Sequence, residues 1–265
     1  MRYRHQKGFT LVELAIVLVI IGLIVGGVLV GQDMIKAATV RSTLGDIEKY
    51  NAAATTFRNK YAGLPGDLLA NNAAQFNFLT ATGRDGTAGR GDGNGLIEGC
   101  AAGATTAGCE TALFWVDLST AALIPQNLST YTSAATALPD ITSIATMSGY
   151  FPTQKVRQGT FAYVFPNSGR NFFTLSTITT AGGAGAVTPG PGITTGEARS
   201  IDEKLDDALP ATGVVQAISA LATVDVGAAA ATSVCVNSTP TPDTYNVGTA
   251  FVDEINCRIR LRASF

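Results

Sequence analysis

The chain begins with an apolar run that is long enough to cross a membrane. Phe9 to Val30 are 22 residues, interrupted by a single acid, Glu13. As a helix with a rise of ~1.5 Å per residue, the run would measure about 33 Å, against a hydrocarbon layer of ~30 Å. No convincing small-residue cleavage site of a secretory signal follows it. The pattern therefore predicts a membrane-spanning helix over residues 9–31.

Downstream of this run the apolar positions continue with helical spacing and acquire a polar face. They are Val40, Leu44, Ile47, Tyr50, Ala54, Phe57 and Tyr61. Steps of three and four residues place them on one side of a helix. Gly63, Pro65 and Gly66 follow and are typical of a helix end. We therefore expect one helix from about Thr10 to Tyr61, whose second half packs on a globular head.

The rest of the chain carries short β patterns. Thr160–Phe165 and Asn171–Ser176 are apolar segments separated by five residues, which predicts a hairpin with a five-residue connection. Cys257–Arg262 alternates strictly between apolar and polar residues. This alternation predicts a strand with Ile259 and Leu261 facing inward.

These elements predict an α+β fold with a long N-terminal helix and an antiparallel β-rich globular head. Residues 1–8 form a basic leader, residues 9–62 the long helix, and residues 63–265 the head. The glycine-rich stretch Ala181–Gly196 predicts an exposed loop within that head.

Charge is distributed unevenly along the chain. The leader holds Arg2, Arg4 and Lys7 without an acid, so by the positive-inside rule it stays cytoplasmic and the head is exported. Without the leader, 15 basic residues face 20 acidic ones, a net charge of −5. An acidic body lacks the electrostatic footprint of a nucleic-acid-binding protein, so we expect no nucleic-acid partner.

The only histidine, His5, lies in the leader. Residues 9–265 therefore cannot form a histidine-dependent triad, a His-ligated zinc site or a His-ligated haem site. Lys155 and Lys204 stand in no recognisable Ser–Lys motif. We expect no enzymatic activity and no required cofactor.

The four cysteines would lie in an oxidising compartment after export. Sequence alone permits three connectivities, and the two close pairs favour bridges Cys100–Cys109 and Cys235–Cys257.

Glu13 needs a cationic partner, because an ionised carboxylate in mid-span costs roughly 2.5–3.5 kcal/mol. No Lys or Arg occurs between Lys7 and Lys36. Cleavage between Gly8 and Phe9 would create an α-amino group one helical turn from Glu13. This terminal amine, from the same chain or a neighbour, is the cation that fits.

Gly8-Phe9-Thr10-Leu11-Val12-Glu13-Leu14, after a short basic leader, resembles the type IV prepilin family. The resemblance implies cleavage after Gly8 by a prepilin peptidase, N-methylation of Phe9, and assembly by inner-membrane machinery into a helical filament. It also implies that Glu13 neutralises the terminal amine of an adjoining subunit. The alternative is an uncleaved signal anchor with an incidental acid.

One glycine-rich loop could bind a cation. Asp85, Asp92, Asn94 and Glu98, with Glu110 as a substitute for Asp85, offer hard oxygen ligands that suit Ca²⁺. The order of an EF-hand is broken, however, because Arg90 occupies the first ligand position. The alternative is a pair of Asx turns without an ion. Calcium occurs in some pseudopilin heads, so the resemblance favours the site without deciding it.

A second acidic stretch, Ser200–Pro210, predicts a short helix capped by Ser200 or Asp202. It carries Asp202, Glu203, Asp206 and Asp207. Paired carboxylates also serve glycoside hydrolysis, but a solvated helix face or a packing element fits them better.

The sequence therefore predicts a structural subunit of an extracellular type IV pilus-like filament. It would be an inner-membrane precursor that polymerises with identical subunits through its N-terminal helix. One alternative is a pseudopilin or minor tip pilin of a type II secretion-like machine. The other is a membrane-tethered binding head that never polymerises.

Overall fold

The structure of the chain is a computed structural model. It describes residues 10–78, 84, 86–87, 89–99, 110–128, 147–181, 187–219, 235–237, 242–248 and 252–265. Its largest element is helix α1 (Leu11–Tyr61), 51 residues long. Three shorter helices are described, namely α2 (Ala70–Gln75), α3 (Glu110–Thr120) and α4 (Thr195–Leu205).

Helix α1 is continuous, as its sequence pattern predicted. Its buried residues are Val40, Thr43, Leu44, Ile47, Tyr50, Ala53, Ala54, Phe57 and Tyr61, all in the second half. The helix ends at Tyr61, and Ala62 takes the left-handed conformation with φ 55° while its amide donates to the Arg58 carbonyl oxygen at 2.9 Å. A left-handed residue after the last turn is a common way to end a helix.

The head is built on an antiparallel sheet. Its six described strands are β1 (Thr160–Asn167), β2 (Arg170–Ala181), β3 (Val187–Gly190), β4 (Ile193–Thr194), β5 (Val215–Ser219) and β8 (Ile255–Arg262). Strand β2 pairs with β1, β3 and β8, while β8 also pairs with β4 and β5. The short strands β6 (Val236–Asn237) and β7 (Thr244–Tyr245) pair with each other. The α+β architecture predicted from the sequence is confirmed.

Aromatic side chains join the second half of α1, helix α3 and the sheet into one core. The Tyr50 ring lies 4.9 Å from the Trp115 ring on α3 and 6.2 Å from the Phe173 ring on β2 (centroid distances). The Phe57 ring lies 5.2 Å from the Phe78 ring. All but Phe78 are at most 2% exposed. Burial of such rings contributes a large share of core stability.

The predicted hairpin is present, but its turn is tighter than expected. Strands β1 and β2 continue through the predicted connection until only Ser168 and Gly169 separate them. Both turn residues have positive φ, 50° and 72°. A two-residue turn of this kind matches the right-handed twist of the strands, which favours it over a longer loop.

Strand β8 contains the predicted alternating segment, and Ile259 and Leu261 are buried as expected. Of the three arginines that alternate with them, Arg258 is also buried. Arg260 lies over the Phe172 ring, 5.0 Å from its centroid, and Arg262 donates to the Gly213 carbonyl oxygen at 3.0 Å.

The prediction of an exposed loop over Ala181–Gly196 was wrong in part. Strands β3 and β4 lie in this stretch, and a Cβ at Gly192 would come within 2.6 Å of the Thr177 amide nitrogen. Close backbone approach to β2 explains the glycine there, rather than loop flexibility.

Helix α4 also begins earlier than predicted, with Thr194 as its N-cap instead of Ser200 or Asp202. Thr194 and Glu197 form a reciprocal capping box, with the Glu197 amide donating to Thr194 Oγ1 at 3.1 Å. This start gives α4 two further turns.

Candidate functional site

Among the described residues, the most exposed apolar surface is the first half of α1. Every large apolar residue from Leu11 to Ile35 is at least half exposed. An 18-residue window of α1 has a mean hydropathy of 3.0, and the helix is long and apolar enough to cross a membrane. No other helix in the described part of the chain meets that criterion. A contiguous apolar patch of this size marks an interaction with lipid or protein.

Glu13 has a hydrogen-bonding role inside its own helix that the sequence analysis missed. Thr10 is the N-cap, and its hydroxyl accepts from the Glu13 amide at 3.3 Å. The Glu13 carboxylate oxygen Oε2 accepts from the Thr10 amide at 2.8 Å and from the Thr10 hydroxyl at 2.9 Å. The Thr-x-x-Glu spacing of a capping box was the available signal. Gly8 and Phe9, the predicted processing residues, lie outside the described residues.

Ion pairs mark the place where α1 passes from exposed to buried. Lys36 on α1 lies 3.3 Å from the Asp253 carboxylate, and Arg157 lies 3.4 Å from Glu197 on α4. With Lys204 these residues help line a shallow groove between α1 and α4. The Lys36–Asp253 pair is exposed, and exposed pairs of this kind are worth at most about 1 kcal/mol.

The predicted cation-binding loop forms Asx turns. The Asn94 amide donates to Asp92 Oδ1 at 3.1 Å, and the Leu96 amide donates to Asn94 Oδ1 at 2.7 Å. Asn94 Nδ2 also donates to Asp92 Oδ2 at 2.9 Å and Glu98 Oε2 at 3.3 Å. Asp85 lies outside the described residues. In this arrangement Asp92, Asn94 and Glu98 bond to one another and not around a common centre.

Two acids from outside the loop, Asp67 and Glu110, lie close to Asp92. One carboxylate oxygen from each of Asp67, Asp92 and Glu110 falls within 4.8 Å of the others. Glu110 was a substitute candidate in the sequence analysis, whereas Asp67 was missed. Its only signal was an acid directly after the Pro65-Gly66 turn.

Backbone amides occupy the carboxylates of the two buried members. Asp67 accepts from the Gly93 and Gly95 amides at 2.7 and 2.8 Å. Glu110 accepts from the Gly91 and Glu98 amides at 2.7 and 2.8 Å. These bonds fold the loop around the acids, and they explain why the loop can hold its shape as a pair of turns.

Burial makes this cluster unfavourable for charge. It raises the pKa of Glu110 to about 8, with a smaller contribution from the negative charge of Asp67, while the amides act in the opposite direction. Burial likewise raises the pKa of Asp67 to about 6. Both shifts have the sign expected for desolvated carboxylates.

A buried ion pair fixes the same loop to helix α3. Arg84 Nη2 lies 2.6 Å from Asp117 Oδ1, and both side chains are fully buried. Arg84 Nη1 donates to the Gly66 and Leu68 carbonyl oxygens at 3.1 and 3.0 Å. The Gly66 amide donates in turn to Asp117 Oδ2 at 2.7 Å. The network ties the segment after α1 to α3 through bonds that are shielded from solvent.

The structure bridges Cys235 and Cys257, with Cα atoms 5.2 Å apart, as the sequence analysis favoured. The bridge connects the start of the β6–β7 pair to the central strand β8. Cys100 and Cys109, the other predicted pair, lie outside the described residues.

A second acidic group lies at the end of α4. Asp202, Asp206 and Asp207 each place a carboxylate oxygen within 4.8 Å of the others. The sequence analysis expected a solvated helix face or a packing element; Asp202, which is fully buried, fits the packing element, and Asp207, which is exposed, fits the solvated face.

Comparison with known proteins identifies the N-terminal segment. Residues 3–29 match the family model described as the prokaryotic N-terminal methylation motif. No curated protein and no solved structure matches the chain. The matched segment and the long apolar helix fit a type IV pilin-like leader. The motif implies processing by prepilin peptidase and membrane assembly of a pilin-like protein.

Proposed function

We propose that the protein is a structural subunit of an extracellular type IV pilus-like filament and polymerises with identical copies through α1. The observation that carries the proposal is the division of one continuous helix. Its first half exposes every large apolar side chain, while its second half is packed into the head. Such a helix can exchange lipid for neighbouring helices without any change in the head.

The exchange costs little in hydrophobic terms. The apolar half leaves the hydrocarbon layer and enters a bundle of equally apolar helices, so its exposure to water need not change. Gly22, Gly26, Gly27 and Gly31 have no heavy atom within 4 Å of a Cβ position, so this surface is open to close helix approach.

The acid in this half supplies the charge pairing. In our proposal, prepilin peptidase cleaves after Gly8, and the new amine of Phe9 is methylated and stays cationic. Both hydrogen bonds from Thr10 go to Oε2 of Glu13, and no described residue donates to Oε1, so Oε1 can accept from the amine of an adjoining subunit. Glu13 can therefore cap its own helix and pair with a neighbour at the same time.

The proposal places the precursor in the inner membrane and the mature subunit in a filament on the cell surface. It requires prepilin peptidase and the assembly machinery of the inner membrane as partners, and it assigns no enzymatic activity to the chain itself.

Two substitutions separate the charge of Glu13 from its capping role. Glu13→Gln keeps an oxygen that can accept from Thr10 but removes the negative charge. Thr10→Ala removes the cap and keeps the charge. We expect Glu13→Gln to lower the yield of sheared filaments by about tenfold or more, since a charge-assisted hydrogen bond is worth about 1.5–3 kcal/mol. Thr10→Ala should lower the yield less, by no more than about fivefold, because a lost N-cap costs only about 1 kcal/mol of helix stability.

The measurement is the amount of this chain in sheared filaments, with N-terminal mass spectrometry to identify methylated Phe9. Equal losses in the two variants would show that Glu13 only caps the helix. Retention of the wild-type chain in the envelope would favour the pseudopilin alternative. Complete absence of polymer from wild-type cells would favour a tethered head and overturn the proposal.

A further inference from the structure

Three carboxylates meet where helix α4 ends. Asp202 lies in the last turn of the helix, Asp206 is its C-cap, and Asp207 follows directly. Their nearest carboxylate oxygens lie within 4.8 Å of one another. Asp202 is fully buried, Asp206 is half-buried and Asp207 is exposed. The cluster therefore reaches from the protein interior to the solvent.

One oxygen of this cluster has no partner. Asp202 Oδ2 accepts from the Tyr245 hydroxyl at 2.8 Å, whereas Asp202 Oδ1 is buried and makes no hydrogen bond with any described residue. A buried acceptor left without a partner costs about 1–3 kcal/mol, and more when it is charged. The oxygens of the Asp67–Asp92–Glu110 group, by contrast, accept from amides of the loop.

The surrounding charge does not compensate the three acids. No ion pair among the described residues includes Asp202, Asp206 or Asp207. The C-terminal end of a helix also carries the negative end of the helix dipole, which disfavours anions there.

The backbone nevertheless holds the acids together. The Asp206 carboxylate accepts from the Val214 amide and, at 3.3 Å, from the Val215 amide. Asp207 accepts from the Leu209 amide at 2.9 Å and from the Thr212 hydroxyl at 2.7 Å. Gly213 has a φ of 77°, and a Cβ there would overlap the Asp206 carboxylate, so the loop closes directly on the acid. These contacts fix like charges near each other, which is unfavourable without a counterion.

We infer that Asp202, Asp206 and Asp207 form a binding site for a hard divalent cation, with Ca²⁺ as the best fit. Two oxygens on opposite sides of a calcium ion lie about 4.6–5.2 Å apart, because each Ca–O bond measures about 2.3–2.6 Å. The three carboxylate oxygens lie within 4.8 Å of one another, which is close enough for one ion to contact all three. All the available ligands are oxygens, which suits Ca²⁺ and not the softer metals that prefer nitrogen or sulfur. The exposed Asp207 side leaves room for water to complete the coordination.

An ion there would connect three parts of the head. It would join the end of α4, the loop that leads into β5, and strand β7 through Tyr245. The proposal is independent of filament assembly, since all the contacts lie within one chain.

The test uses the full chain in detergent micelles, with thermal unfolding followed in chelator and in about 1 mM CaCl₂. A ligand that binds only the folded state raises stability according to its concentration relative to Kd. We expect Ca²⁺ to raise the Tm by several degrees. MgCl₂ at the same concentration should have a smaller effect, because Mg²⁺ demands a stricter octahedral geometry.

Asp207→Asn is the diagnostic variant, since its exposed side chain can be changed without disturbing the core. Its calcium affinity, measured by titration calorimetry, should fall at least about tenfold. Asp202→Asn should do the same, and it should raise the Tm in chelator because an unpaired buried charge has been removed. Asp92→Asn, in the other acidic cluster, is the matched control and should keep the wild-type affinity.

Terbium provides a second readout. Tb³⁺ bound beside Tyr245 should luminesce on tyrosine excitation, and Tyr245→Phe should remove most of that signal while calorimetry still detects Tb³⁺ binding. Unchanged Tm in CaCl₂ would overturn the inference. Loss of calcium binding in Asp92→Asn but not in Asp207→Asn would also overturn it and would move the site to the other cluster.

Discussion

The two halves of α1 share one backbone and differ in what covers them. Residues from Leu11 to Ile35 are exposed, whereas the apolar face from Val40 to Tyr61 is buried against α3 and the sheet. The first half is apolar on all sides, as a segment is when its surroundings are lipid or other helices. The second half is amphipathic, because one side of it faces water. The comparison shows that the local sequence pattern specifies one continuous helix. The role of each half depends on what it packs against.

The largest expected difference between the two halves is in the cost of removing an apolar side chain. In the buried half this removal leaves a cavity, and in the exposed half it does not. Phe57→Ala removes a fully buried ring that lies 4.5 Å from the Tyr61 ring and 5.2 Å from the Phe78 ring (centroid distances). We expect a loss of about 3–5 kcal/mol in the free energy of unfolding, measured by denaturant titration in micelles. Val19→Ala, at a position 72% exposed, is the matched control and should change this free energy by less than about 0.5 kcal/mol. A comparable loss in both variants would show that the first half also packs on the head.

Glycines offer the next largest contrast. Gly66, just after α1, has a φ of 86°, and a Cβ there would come within 2.5 Å of the Glu110 carbonyl oxygen. We expect Gly66→Ala to destabilise the head by about 2–3 kcal/mol, from both the left-handed conformation and the overlap. Gly27→Ala meets open space and should leave the Tm of the head unchanged. Equal melting temperatures for the two variants would contradict the strain assigned to Gly66.

The smallest contrast concerns acids and pH. Glu110, buried in the head, has a pKa raised to about 8, above the value of an unfolded chain. The folded state therefore binds the proton more tightly than the unfolded state, so this contribution is complete at low pH and is lost as the pH rises through about 8. We expect the head to lose on the order of 2 kcal/mol between about pH 6 and pH 9, measured in chelator.

Glu110→Gln should flatten this part of the profile. The variant also starts from lower stability, because its amide nitrogen cannot accept from the backbone as both carboxylate oxygens do. Asp67 and Asp202, each with a pKa raised to about 6, contribute to the slope that remains at lower pH. An unchanged slope between about pH 6 and pH 9 in Glu110→Gln would assign the effect to another group.

The sequence was sufficient for the features that depend on local pattern. The apolar run, the helical spacing up to Tyr61 and the alternation in Cys257–Arg262 each specify an element without reference to the rest of the chain. The tight Ser168–Gly169 turn was missed because its length depends on the register between β1 and β2. The cap at Thr194 was missed because Ser200 and Asp202 are also favoured N-cap residue types, and the local sequence does not decide which of the three begins the helix.

The candidate sites were less predictable because they depend on distant contacts. Asp67 reaches the Asp92 loop only when the segment after α1 folds back onto α3, and nothing near Asp67 in the sequence indicates this. Burial of Asp202 likewise requires Tyr245, 43 residues further along the chain. Charge spacing alone could not separate a solvated helix face from an interior carboxylate.

Strand β8 has a consequence for the order in which the head can form. It pairs with β2, β4 and β5, and all three precede it in the chain. The bridge from Cys257 to Cys235 is likewise made only when this strand has arrived. Strands β1, β2 and β3 can pair with one another before Ile255 is synthesised, whereas β4 and β5 pair only with β8 among the described strands. The sheet is therefore completed only when the last residues of the chain arrive, through contacts that are far apart in sequence.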